Sequence, residues 1–188
     1  MFKIKYFMKA KQIMNYKTIE TKRLLLRKPK IEDVEPMFKN WASDPMVTKY
    51  LTWPPHENIE VTKRVVDNWL KEEKDPKTIR FIITLKDNDE PVGSIDVVGY
   101  IDDNPEIGYC LARKYWNQGL MTEACKALIK YLFDIGFKKI FIKAMVENIG
   151  SNKVIEKCGF RFTHKEYREH QSAFKAEPAT LNCYELVK

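Results

Sequence analysis

The chain has 188 residues, 44% of them hydrophobic and 12% aromatic, enough for one domain with a real core and against disorder. Its net charge of +7 comes from 33 Lys and Arg scattered among 26 Asp and Glu, with no dense basic tract, which reads as solvated surface. No run approaches the ~20 apolar residues of a membrane span.

The opening Met1-Phe-Lys-Ile-Lys-Tyr-Phe-Met8 mixes lysines with apolar residues and makes a poor signal peptide. A flexible arm is expected over 1–14, ahead of a domain over 15–188, with Met14 as an alternative start. Arg23-Leu-Leu-Leu-Arg27 predicts a short buried strand, and Val34, Met37, Phe38 and Trp41 fall at helical spacing between Asp33 and Ser43. A proline- and aromatic-rich loop, Tyr50 to His56, leads into a helix over 58–73 with Val61, Val65, Val66 and Trp69 inward. Arg80 to Leu85 is a strand, Asp87 to Glu90 its turn, Val92 to Val98 its hairpin partner, and Glu106 to Ala112 the next strand. Leu120, Ala124, Leu128, Tyr131, Leu132 and Ile135 mark a helix that opens at Gly119 and stops at Gly136. Then come a strand over Lys139 to Met145, a helix ending at Gly159, and strands over Phe160 to Tyr167 and Thr180 to Val187. This order predicts an α/β (α+β) domain, a mixed sheet with helices on both faces.

The cysteines (Cys110, Cys125, Cys158, Cys183) form no CxxC and have no histidine at ligand spacing. They read as small buried hydrophobes in a reducing, cytoplasmic setting, and no metal site is expected. Two segments carry chemistry. At Gly119 a strand-to-helix turn leaves backbone N–H groups free, and the absent Cβ admits a close phosphate. Thr122 adds a hydroxyl there, and Arg113 or Lys114 a cation. The turn matches neither a Walker A loop nor a dinucleotide fingerprint. In the second segment Asn148 and Ser151 open a helix, either as plain caps or at the reactive end of a cofactor. If the preceding strand splays away from 106–112, an extended amide chain can pair with the edge around Tyr109, Cys110 and Leu111.

Glu20-Thr-Lys-Arg-Leu-Leu-Leu-Arg, Glu106-Ile-Gly-Tyr, Tyr115-Trp-Asn-Gln-Gly-Leu-Met-Thr-Glu-Ala and Glu147-Asn-Ile-Gly-Ser-Asn-Lys-Val-Ile-Glu-Lys-Cys-Gly-Phe, in this order and spacing, resemble the GNAT superfamily. The likeness is to its ribosomal-protein N-terminal acetyltransferase (RimJ/RimL-like) branch and runs from about Glu20 to the C-terminus. It implies a mostly antiparallel sheet of six to seven strands, splayed between the two central ones, and acetyl-coenzyme A as donor. It also implies a phosphate loop from Trp116 to Met121. Arg113, Asn117, Gln118, Gly119, Leu120, Met121 and Thr122 are then cofactor contacts, with Tyr109, Cys110, Leu111, Asn148, Ser151 and Lys153. Trp116 departs from the usual Arg or Gln, and Met121 from the usual small residue, narrowing the turn. Ile155 stands where many relatives carry a tyrosine that protonates the departing thiolate; Ser151 or a water takes that role.

No distinctive covalent nucleophile is present, so a neutral amine is expected to attack directly. Glu106 is the first choice of base, acting through water, and Asp96 the second; each is otherwise a strand-surface carboxylate. Tyr50, Trp53, His56, Asp96 and Tyr184 are candidates for the acceptor pocket, with core packing as the alternative. An α-amine, of pKa ~8, needs a weaker base than a lysine at ~10.4, which favours a protein N-terminus as acceptor. A small amine (polyamine, amino acid or antibiotic) is the second reading. The third is a basic RNA- or ribosome-associated module with a degenerate cofactor site. No membrane or direct nucleic-acid partner is expected otherwise, and a homodimer through the final strands is plausible.

Overall fold

The computed structural model describes residues 16–172 and 174–188; the arm expected over 1–14 lies outside them. Among the described residues one eight-stranded sheet runs in the order β1-β2-β3-β4-β5-β6-β8-β7. Its strands are β1 (Ile19–Glu20), β2 (Leu24–Arg27), β3 (Arg80–Leu85), β4 (Pro91–Ile101), β5 (Asn104–Leu111), β6 (Lys139–Met145), β7 (Arg161–Arg168) and β8 (Ala179–Val187). Neighbours are antiparallel except β5 and β6. The strand beyond the expected six or seven is β1, two residues long and too short to show a period.

The helices are α1 (Val34–Met37), α2 (Pro45–Thr48), α3 (Ile59–Glu72), α4 (Leu120–Asp134) and α5 (Ile149–Lys157). Past Met37 the first of them widens into a π-turn over Phe38–Ala42, where the Ser43 N–H and hydroxyl both donate to the Phe38 carbonyl. Within the stretch read as loop, α2 forms a single turn; Pro45 preorganises its start and the Asp44 carboxylate accepts the Met46 N–H. Asn58 caps α3 in the same way, through the Val61 N–H.

Alternation along the strands builds two cores. Phe81, Ile83, Ile95, Ile107 and Ile142 pack under α4 and α5 with Leu128, Leu132 and Ile155, whereas Ile82 and Cys110 pack on the opposite face with Met37, Trp41 and Val66. Helices therefore cover both faces. The hairpin from β4 to β5 extends beyond the expected ends because Asp102 and Asp103, at φ 47 and 60, close a two-residue turn of the primed type. No described helix is long and apolar enough to cross a membrane.

Candidate active site

The parallel strands at the centre barely touch. Pairing of β5 with β6 is confined to Glu106↔Phe141 and Ile107↔Ile142. Beyond it, Gly108–Leu111 keep β4 on one side and have no strand partner on the other. The gap widens into a cavity of about 740 Å³ that runs from the start of α4, past the start of α5, to the loop after α2. Tyr109, Cys110 and Leu111 line it.

At one end lies the turn before α4. Asn117 and Gly119 both adopt left-handed backbone, at φ 60 and 75. The first intrahelical bond there runs from the Glu123 N–H to the Gly119 carbonyl, so the N–H groups of Leu120, Met121 and Thr122 have no acceptor within the helix. Asn117, Gly119, Leu120, Met121 and Thr122 face the cavity. Met121, expected to narrow the turn, is buried in the main core. Arg113 and Gln118 turn elsewhere: Arg113 pairs with Asp44 at 3.0 Å, and the Gln118 amide donates to the Lys114 carbonyl at 2.9 Å.

Alongside the gap, α5 opens with Asn148, whose side-chain oxygen accepts the Ser151 N–H at 3.1 Å. The Ser151 hydroxyl lies 2.9 Å from the Tyr109 hydroxyl, which also donates to the Ser151 carbonyl at 3.2 Å. Burial pushes the Tyr109 phenol well above its usual range, so it stays protonated. Asn148, Ser151 and Lys153 line the cavity; Tyr184 does not, and its hydroxyl donates to the Asn152 side chain at 2.6 Å, bracing α5. Ile155 is fully buried and offers no proton donor.

At the far end, Glu106 and Asp96 line the cavity with Tyr50, Trp53, Trp41 and Trp69. Asp96 accepts from Arg80 Nε at 3.2 Å, while its other oxygen is buried with no hydrogen bond among the described residues. Burial outweighs the pull of Arg80 and raises its carboxyl pKa. Glu106 sits 3.7 Å from Lys143, which also meets Glu166 at 3.0 Å. Glu166 is held down at about 2 by Arg168 and then Lys143. His164 and Cys183 bring ligand atoms within 4.8 Å of it, a cluster that chain spacing does not reveal. His56 points away from the cavity: its Nδ1 lies 2.8 Å from the Thr62 hydroxyl, and burial lowers its pKa. The Cys110 thiol is pushed up to about 11 by burial, which makes it a poor nucleophile near neutral pH. Sequence reasoning missed Arg23 and Glu123, which meet beside the α4 turn at 2.8 Å from 100 positions apart.

A slot between strands, ending in free amides at one end and carboxylates beside aromatic rings at the other, suits a long anionic carrier with its reactive group mid-cavity. The family model of the acetyltransferase (GNAT) domain matches residues 23–161. An uncharacterized N-acetyltransferase of Bacillus licheniformis is 31% identical over 77% of this chain and 82% of its own length. The ribosomal-protein-serine acetyltransferase of Escherichia coli is 29% identical over 58% of this chain and 63% of its own. Among solved structures, a GNAT-family acetyltransferase from Bacillus anthracis superposes with a TM-score of 0.77 at 28% identity, covering 90% of this chain and 98% of its own.

Proposed function

The chain belongs to the GNAT acetyltransferase family, and on that premise we propose that its acetyl-coenzyme A-dependent N-acetyl transfer acts on a protein N-terminal amine, such as that of a ribosomal protein. Acetyl-coenzyme A, when bound, supplies the thioester carbon that a neutral amine attacks. The amides from Gly119 to Thr122 would hold its diphosphate, and Tyr109 to Leu111 its amide arm. Asn148 and Ser151 stand at the reactive end, where the Ser151 and Tyr109 hydroxyls carry the proton that a thiolate needs. Holding the reactants in line provides up to ~7–11 kcal/mol of the barrier in well-oriented cases.

The acceptor reading rests on one observation: of the cavity carboxylates Asp96, Glu106 and Glu147, the first two are paired, Asp96 with Arg80 and Glu106 with Lys143, and Lys143, Lys153, Lys157 and Arg168 line the same cavity. Such a site holds little spare negative charge for a polycation, and the net charge of +7 repels one further. A carboxylate base is adequate for an α-amine of pKa ~8 and poor for a lysine at ~10.4. The similarity to the E. coli ribosomal-protein-serine acetyltransferase points the same way. Four free thiols accord with a reducing, cytoplasmic setting. A screen that sets N-terminal peptides against polyamines, amino acids and aminoglycosides tests the reading. It expects turnover on the peptides; turnover confined to small amines overturns it, and no coenzyme A binding at all would favour a non-catalytic module.

A further inference from the structure

The hairpin tip between β1 and β2 reaches across to the start of α4. Glu123, one turn into that helix, accepts from the Thr21 hydroxyl at 2.7 Å, the Arg23 N–H at 2.8 Å and Arg23 Nε at 2.8 Å. The same guanidinium donates through Nη1 to the Gln118 carbonyl at 2.9 Å. Its Nη2 lies 3.6 Å from where a Cβ on Gly119 would sit. Thr21 is itself fixed: its backbone N–H donates to the Leu24 carbonyl at 2.9 Å, and its side-chain oxygen accepts the Leu24 N–H at 2.9 Å.

Two consequences follow. Gln118 stands between two left-handed residues, a conformation that Asn117 holds at an energetic cost. In a trans peptide the C=O of one residue points opposite to the N–H of the next. Anchoring the Gln118 carbonyl on Arg23 therefore turns the Gly119 N–H the other way. Second, a carboxylate one turn inside the helix start would repel an approaching anion, and Arg23 cancels that charge. The bonds to Thr21 and Arg23 hold the Glu123 carboxyl below its usual pKa against burial, so the compensation operates at neutral pH.

We propose that the Thr21–Arg23 hairpin tip is a clamp that sets the diphosphate cradle at 117–119, with Arg23 as its positioning residue. The clamp rests on the donor site described above and not on the identity of the acceptor. A positioning role has a signature that general loss of structure lacks, because only a donor carrying the diphosphate feels it.

The test compares acetyl-coenzyme A with S-acetylpantetheine, which has no diphosphate, in wild type and Arg23→Ala. Removal of these charge-assisted bonds is expected to raise the KM for acetyl-coenzyme A about tenfold, with kcat and the KM for S-acetylpantetheine within about twofold. Calorimetric titration with coenzyme A should show the same shift and needs no acceptor, so failure of the N-terminal reading leaves this measurement standing. Should Arg23→Ala not fold, Arg23→Lys keeps the charge but not the fork that reaches Glu123 and Gln118 together, and should show a smaller rise of the same donor selectivity. Equal losses with both donors, or unchanged affinity in a folded variant, overturn the clamp. Wild type that binds no coenzyme A overturns the donor site with it.

Discussion

Replacing Ser151 by alanine separates a structural hydroxyl from one that returns a proton. The Tyr109 phenol touches Ser151 twice, at the hydroxyl (2.9 Å) and at the carbonyl (3.2 Å). Alanine removes only the first contact, so the buried phenol keeps a partner. The stability cost is then that of one ordinary hydrogen bond, about 0.5–1.5 kcal/mol. For a chain of this size each kcal/mol lowers Tm by roughly 2–4 °C. Loss of a general acid is larger in rate, at least ~10²-fold, which is about 2.7 kcal/mol on the barrier. Release of free thiol, followed with a chromogenic disulfide at saturating donor and acceptor, reads kcat; a thermal melt reads stability. The expected result is a kcat lowered about a hundredfold, the KM for acetyl-coenzyme A within about twofold, and Tm down by a few degrees. A kcat within about fivefold of wild type at that same Tm shift would refute the role and leave Ser151 as a brace for Tyr109.

Gly119→Ala must hold φ 75 with a Cβ, and since that Cβ meets Arg23 only at ordinary contact distance, the backbone term of ~1–2 kcal/mol should weaken coenzyme A binding about tenfold in calorimetry. Asn148→Ala removes the cap on the Ser151 N–H, costing ~1 kcal/mol of stability, and should lower turnover more than coenzyme A affinity; an unchanged rate removes Asn148 from the reactive end. Glu106→Gln should lower kcat/KM about a hundredfold at pH 7, and the gap should narrow above pH ~8, where an α-amine is neutral unaided. Cys110 keeps its proton up to about pH 11 in the fold, whereas the unfolded thiol releases it from ~8.5, so its contribution to stability is intact below that window and is lost as pH rises through it. Urea melts between pH 7.5 and 10.5 should show this slope reduced in Cys110→Ser.

How far the sequence reads depends on what each element buries. The strands β3 and β6 matched their expected limits because Phe81 to Thr84 are buried on both faces and Ile140, Ile142 and Ala144 alternate cleanly. By contrast, β1 and α2 are too short for any period, and the π-turn after Met37 keeps a helical spacing of apolar residues while altering the hydrogen bonding. The left-handed turn at Gly119 was legible because it and the α4 start are contiguous in sequence. Side-chain direction was not. Arg113, Gln118, His56 and Tyr184 lie within a few positions of cavity-lining residues, but Asp44, the Lys114 carbonyl, Thr62 and Asn152 draw them elsewhere. Arg23 and Glu123 escaped notice for the same reason, since they are partners from distant elements, and the tie from Glu166 to Lys143 likewise crosses from β7 to β6.

Donor binding as proposed depends on the seam between β5 and β6. A crystal structure of the chain with acetyl-coenzyme A bound measures it directly. The expected result is the amide arm lying between Gly108–Leu111 and β6, with the diphosphate against the amides of Gly119 to Thr122. Strands that pair continuously through Leu111, with the nucleotide bound at another surface, would contradict it.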